Sequence, residues 1–167
     1  MAFPITDNKE KGMFGGEEGR EGMQFFKNLS PAAKEGLMAI HNNTDQTRAA
    51  EEADVVALFK NGANITPEDK TSFANLQVLA AKKEAEFTTA IDKAVADSSL
   101  TETQKALYNT CKEIYSNKNL SIKQTKEDIK DAISAADKVN AGDGEAVKSL
   151  VMKTIHSQIK ADKAVSA

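Results

Sequence analysis

The sequence predicts an all-α protein, a bundle of about six helices with one long member, behind a flexible N-terminal tail. Three observations lead there. All three prolines fall by residue 67, which leaves the last hundred residues with none. No glycine lies between Gly62 and Gly142. Proline and glycine punctuate strands and loops, so so long a span without either favours helix. The third observation is a set of written helix starts. Ser30-Pro31 and Thr66-Pro67 each put a capping hydroxyl before a proline at the first helical position, where the missing N–H costs nothing.

Taken in order, residues 1–22 read as the tail. Five of the nine glycines stand there, mixed with Glu and Lys, so little apolar area offsets the entropy of ordering. Met13 and Phe14 break that polarity and make the tail a candidate docking segment. Residues 23–163 then form a single helical domain. A short segment at 23–28 is followed by helices near 31–42, 46–60, 67–97, 102–116, 122–140 and 145–163. Thr101-Glu102-Thr103-Gln104 and Ser121-Ile122-Lys123-Gln124 fit the capping box, in which hydroxyl and carboxamide cross-bond the first turn. Gly62 and Gly142 suit positions just past helix ends.

Apolar spacing supports these elements. Phe73, Leu76, Ala80, Phe87, Ala90 and Ala94 make one stripe. Ile122, Thr125, Ile129, Ile133 and Ala136 make a second, and Val147, Val151, Ile155 and Ile159 a third with Leu150 beside it. The 67–97 helix would run about 46 Å. Lys83 interrupts its stripe, so the helix bends there, snorkels a lysine, or changes partners. An apolar residue, a Ser/Thr cap and a lysine four further on recur at Leu29-Ser30…Lys34, Ile65-Thr66…Lys70 and Leu100-Thr101…Lys105. The caps are 36 and 35 residues apart. A degenerate helical repeat and a shared helix-start grammar explain this equally well.

Composition excludes several functions. Of the 167 residues, 40% are apolar but only 5% aromatic, which makes a lean core. The net charge is −3, with basic and acidic residues interleaved as in Lys126-Glu127-Asp128. A nucleic-acid binder shows a basic patch, and an anionic membrane needs one too; neither partner is expected. No segment has the length or apolarity to enter a bilayer or act as a signal peptide, so a cytoplasmic location is expected. Cys111 is the only cysteine and lies on the apolar side of its helix with Leu107 and Ile114, where a packed thiol is expected.

No residues assemble into a catalytic motif, and no enzyme is expected. His41 and His156 lack metal-ligand spacing, and the tail glycines lack the GK[ST] of a phosphate loop. The run Asp137 to Glu145 resembles a calcium loop only superficially. Setting Asp143-Gly144 at loop positions five and six puts Val139 and Ala141 where acidic ligands belong, and Leu150 where the closing Glu belongs. No cofactor and no metal ligand is assigned, and calcium or magnesium held loosely by clustered carboxylates stays open. Phe25 and Phe26, next to Leu29, read as core anchors or as part of an interface. With Met13 and Phe14 they are the candidate partner-binding residues.

Residues 113–133, Glu-Ile-Tyr-Ser-Asn-Lys-Asn-Leu-Ser-Ile-Lys-Gln-Thr-Lys-Glu-Asp-Ile-Lys-Asp-Ala-Ile, resemble the nematode SXP/RAL family in their isoleucine, Asn/Lys turn, Leu-Ser and following helix. Phe25 to Lys34 is similar to the segment leading into that family's helical domain, and Phe73 to Gln104 to its long helix. The resemblance implies a helical roundworm protein. Many members are secreted antigens with a cation-binding role, which gives the alternative reading of a carrier for a cation or small apolar ligand. The expected cytoplasmic location instead favours an intracellular relative, such as an accessory protein of the major sperm protein filaments of the sperm cytoskeleton. The leading expectation is therefore a non-enzymatic, cytosolic protein-interaction protein, associated with those filaments.

Overall fold

A computed structural model describes the backbone of residues 19–165 and side chains within residues 24–161. The elements are α1 (Gly19–Asn28), α2 (Pro31–His41), α3 (Arg48–Asn61), α4 (Pro67–Ala96), α5 (Glu102–Ser116), α6 (Ile122–Val139) and α7 (Asp143–Val165). The all-α expectation holds, with seven helices and no strand among the described residues. α1 starts at Gly19, inside the stretch read as tail. Phe25, Phe26 and Leu29 anchor its far end in a core, and a helix once anchored extends at little cost per residue.

The chain forms two compact units that share α4. The N-terminal unit runs to Lys82 and takes in Lys118–Lys123; the C-terminal unit comprises Lys83–Asn117 and the chain from Gln124 onward. The division falls at Lys83, the residue that breaks the apolar stripe of α4. Lys83 lies half-buried, 3.9 Å from Glu86. On its two sides the helix serves different cores.

In the N-terminal unit α2 packs on α3. Its buried residues are Leu29, Ala33, Leu37, Phe59 and Ile65, with Phe25, Phe26, Val55, Leu58 and Phe73 against them. Phe59 stacks on Phe73 with ring centres 4.3 Å apart and meets Phe25 at 6.0 Å, tilted. Three rings thereby close a core that is otherwise small. The recurrent lysine has a local role here. Lys34 Nζ donates to the Lys27 carbonyl at 2.9 Å, and Lys70 Nζ to the Lys60 carbonyl at 3.4 Å. Each lysine, four residues after one helix's cap, closes the last turn of the helix before it. At α3 the first amides are taken up by the 118–120 segment: Arg48 N donates to Leu120 O at 3.1 Å and Ala49 N to Lys118 O at 2.9 Å.

In the C-terminal unit α5 packs on α7. Its core holds Phe87, Ile91, Val95, Leu107, Tyr108, Cys111, Ile129, Val147, Val151 and Ile155. The α7 stripe is buried as expected, with Leu150 and Ile159 half-buried. Two stripe members face water. Ile122 stands at the first position of α6, and Ala80 lies near the middle of α4.

Candidate functional site

Among the described residues, three groups of buried or partly buried polar side chains join distant parts of the chain. The first is the corner between α6 and α7. Gly142 turns the chain with φ at +94°, a left-handed conformation that glycine adopts without strain. Asp143 follows as the first residue of α7 and is buried. Its carboxylate accepts from Gln104 Nε2 at 2.8 Å and from Asn140 Nδ2 at 3.3 Å. Asp137, near the end of α6, accepts from the Gly144 amide at 2.8 Å. A side chain at position 144 would run into Ile133 and the Asp137 carboxylate, so glycine permits this approach. Gln104 is itself held in place: Thr101 N donates to its Oε1 at 3.0 Å, completing the expected capping box.

The second place is the start of α4. Asp69, only 3% exposed, sits at the third helical position and accepts from the Thr66 amide at 3.0 Å, while Thr66 Oγ1 accepts from Asp69 N at 3.1 Å. The same carboxylate accepts from the Ser30 amide at 2.9 Å and the Ser30 hydroxyl at 2.6 Å, which ties it to the cap of α2. Burial by itself would raise its pKa. The hydrogen bonds from Ser30 and Thr66 outweigh burial and hold the carboxyl at about 2.

The third is a trio joining α4 to α5. Asp92 accepts from the buried Tyr108 hydroxyl at 2.7 Å and from Lys112 Nζ at 2.6 and 2.7 Å. Burial pushes the Asp92 carboxyl upward, but the Lys112 and Tyr108 donors reverse that and leave it lowered. Burial, together with the bond to Asp92, raises the Tyr108 phenol. Asp92 and Lys112 remain partly exposed, so the trio is a surface ion pair with one buried hydroxyl behind it, which suits anchoring α5 to α4.

The residues singled out from the sequence are dispersed. Met13 and Phe14 lie outside the described residues. Phe25 and Phe26 are half-buried against the N-terminal core, so part of each ring remains exposed. His41 Nδ1 is 3.2 Å from Glu51 Oε1, and His156 is exposed on α7. Cys111 is buried, and burial pushes its thiol up to about 11, as a packed cysteine requires. Sequence reasoning did not find the Asp69 and Asp92 groups. Thr66-Pro67-Glu68-Asp69 carries the local half of the first, as a hydroxyl with an acid three residues on. Nothing local marks the second.

Residues 3–154 match the family model described as "SXP/RAL-2 family protein Ani s 5-like, metal-binding domain". The chain belongs to the SXP/RAL-2 family. No curated protein and no solved structure gives a match. The family description invites a test of the donor set against a metal ion. Among the described residues, no three or more His, Cys, Asp and Glu side chains gather where they could hold one. Asp137 and Asp143 flank one corner, but their oxygens face amide and carboxamide donors. Calcium and magnesium need a shell of about six or more oxygens free to turn toward the ion. The described residues do not fit that requirement. The span matched by the SXP/RAL-2 model also includes residues 3–18, which lie outside the described ones.

Proposed function

We propose that the chain is a non-enzymatic binding protein that acts through a protein partner, with the N-terminal unit as the binding part. One observation carries this reading. Among the described residues the exposed large apolar side chains are Met38, Val56, Val78, Ile122 and Val139, and all but Val139 belong to the N-terminal unit. Apolar side chains left in water on the unit with the smaller core are what a partner would cover. The half-exposed Phe25 and Phe26 add to the same unit. The partner proposed is the major sperm protein filament, in the cytoplasm. Co-sedimentation under filament-assembly conditions tests that identity. The chain should pellet with the filaments, and Met38→Lys with Val56→Lys should release it without lowering its melting temperature. Chain that stays wholly in the supernatant removes the filament reading. Capture of a partner that is indifferent to both substitutions removes the N-terminal surface.

A second reading has its own support in the description of the family model, which names a metal-binding domain. On that reading the chain takes up calcium or magnesium. Calorimetric titration of the full chain with each ion tests it, and the lack of heat with both ions removes it.

A further inference from the structure

We infer that the two acid-bearing helix corners, Asp69 in the N-terminal unit and Asp143 in the C-terminal unit, are not cation sites but anionic plugs, held by the chain's own donors between two helix N-termini. Both corners tie two helix starts through one carboxylate, by amide and hydroxyl donors at Asp69 and by carboxamide donors at Asp143. Asp69 joins the starts of α4 and α2 through Ser30, and Asp143 joins the starts of α7 and α5 through Gln104. Both ties bridge 39 residues of sequence. In each, one partner belongs to a capping pair of its own helix: Asp69 with Thr66, and Gln104 with Thr101.

Charge and geometry exclude a cation at these places. A helix N-terminus carries a partial positive charge and unpaired N–H groups that point outward. Two such ends meet at the Asp69 corner, so the local field there favours a carboxylate and disfavours a divalent ion. At the Asp143 corner, where the end of α6 and Asp137 also lie, the exclusion rests on the donors from Gln104, Asn140 and Gly144 that already occupy the carboxylates. The Ser30 and Thr66 amides are aimed at Asp69, and the Gly144 amide at Asp137. An ion seated there would have to displace these donors and leave amides without acceptors, a costly exchange inside a protein. This goes beyond partner binding, because it concerns what holds each unit together.

Thermal unfolding of the full chain tests the inference, followed by circular dichroism in EDTA and then in millimolar calcium or magnesium chloride. Three proteins are compared: the unaltered chain, Asp69→Asn and Asp143→Asn. The unaltered chain should melt at the same temperature in all three solutions. Each substitution should lower the midpoint by roughly 3–6 °C, and by the same amount with and without the ions. If Asp69→Asn does not fold, Asp143→Asn and the unaltered chain still give the comparison. A rise in midpoint on adding calcium or magnesium that survives both substitutions locates the ion elsewhere and supports the plugs. A rise that either substitution abolishes overturns the inference.

Discussion

The N-terminal unit closes over five buried apolar residues, while the C-terminal unit closes over ten, among the described residues. The smaller core compensates with rings: Phe25, Phe59 and Phe73 concentrate its contact in three aromatic side chains. The larger core spreads its contact along α4, α5, α6 and α7, over aliphatic side chains with Phe87 and Tyr108 among them. Both units join two helix starts through one carboxylate, so the main difference lies in packing. A unit with fewer buried residues and more exposed apolar ones suits recognition, and a deeper core suits a platform.

The comparison breaks most easily at Phe59, which is 2% exposed and touches two other rings. Phe59→Ala should cost about 3–5 kcal/mol. Hydrogen exchange should then show α2 and α3 losing protection while α5 and α7 keep theirs. Equal loss throughout would mean that the two cores unfold as one block.

The next effect is the acid limb of stability. The folded pKa of Asp69, about 2, lies below its ordinary value of 3.8. The unfolded state therefore takes up the proton first. The stabilisation is complete above about pH 4 and is lost as the pH falls towards 2, amounting to about 2 kcal/mol. Urea unfolding from pH 5 to pH 2 should show this slope, and Asp69→Asn should flatten it. An unchanged slope in the variant would assign the acid limb to other carboxylates.

A smaller change is expected in the C-terminal unit. Tyr108→Phe removes one of the donors to Asp92 but leaves Lys112 in place, so the loss should be about 1 kcal/mol by urea unfolding. A loss as large as that of Phe59→Ala would make the triad, rather than the apolar core, the main support of that unit. The smallest effect belongs to Lys118 and Glu52, an ion pair 2.9 Å long with both side chains about half exposed. Lys118→Ala should change stability by less than ~0.5 kcal/mol, because water screens the pair. The backbone bonds from Arg48 and Ala49 hold the 118–120 segment without it.

Much of the fold was legible because it is written over short distances. Ser30, Thr66 and Thr101 cap their helices as their hydroxyl positions imply, each accepting from an amide three residues on. The α7 stripe reads correctly because a helix repeats its face every three to four residues. The break at Lys83 is legible too, and of its three readings the change of partner matches the division between the units. The stripe on α4 was less informative. Ile91 and Val95 carry the burial near its end, whereas Ala90 and Ala94 were read as the face. Alanine fits either side of a helix, so a stripe drawn through alanines fixes the angle poorly. Phe25 and Phe26 were legible only as apolar; how far Phe25 stays exposed depends on Phe59, more than thirty residues away.

The sequence by itself determined the helical class, the helix starts, the packed Cys111 and the poor match of the Asp137–Glu145 run to a calcium loop, because each follows from residues within a few positions of one another. Only the tertiary structure decided that there are two cores, that Asp69 and Asp143 each reach a helix start 39 residues away, and that Asp92 meets Tyr108 and Lys112. Such contacts depend on how whole helices are placed. A carboxylate's partner is then whichever donor the packing brings within three ångströms or so, and no local pattern encodes that.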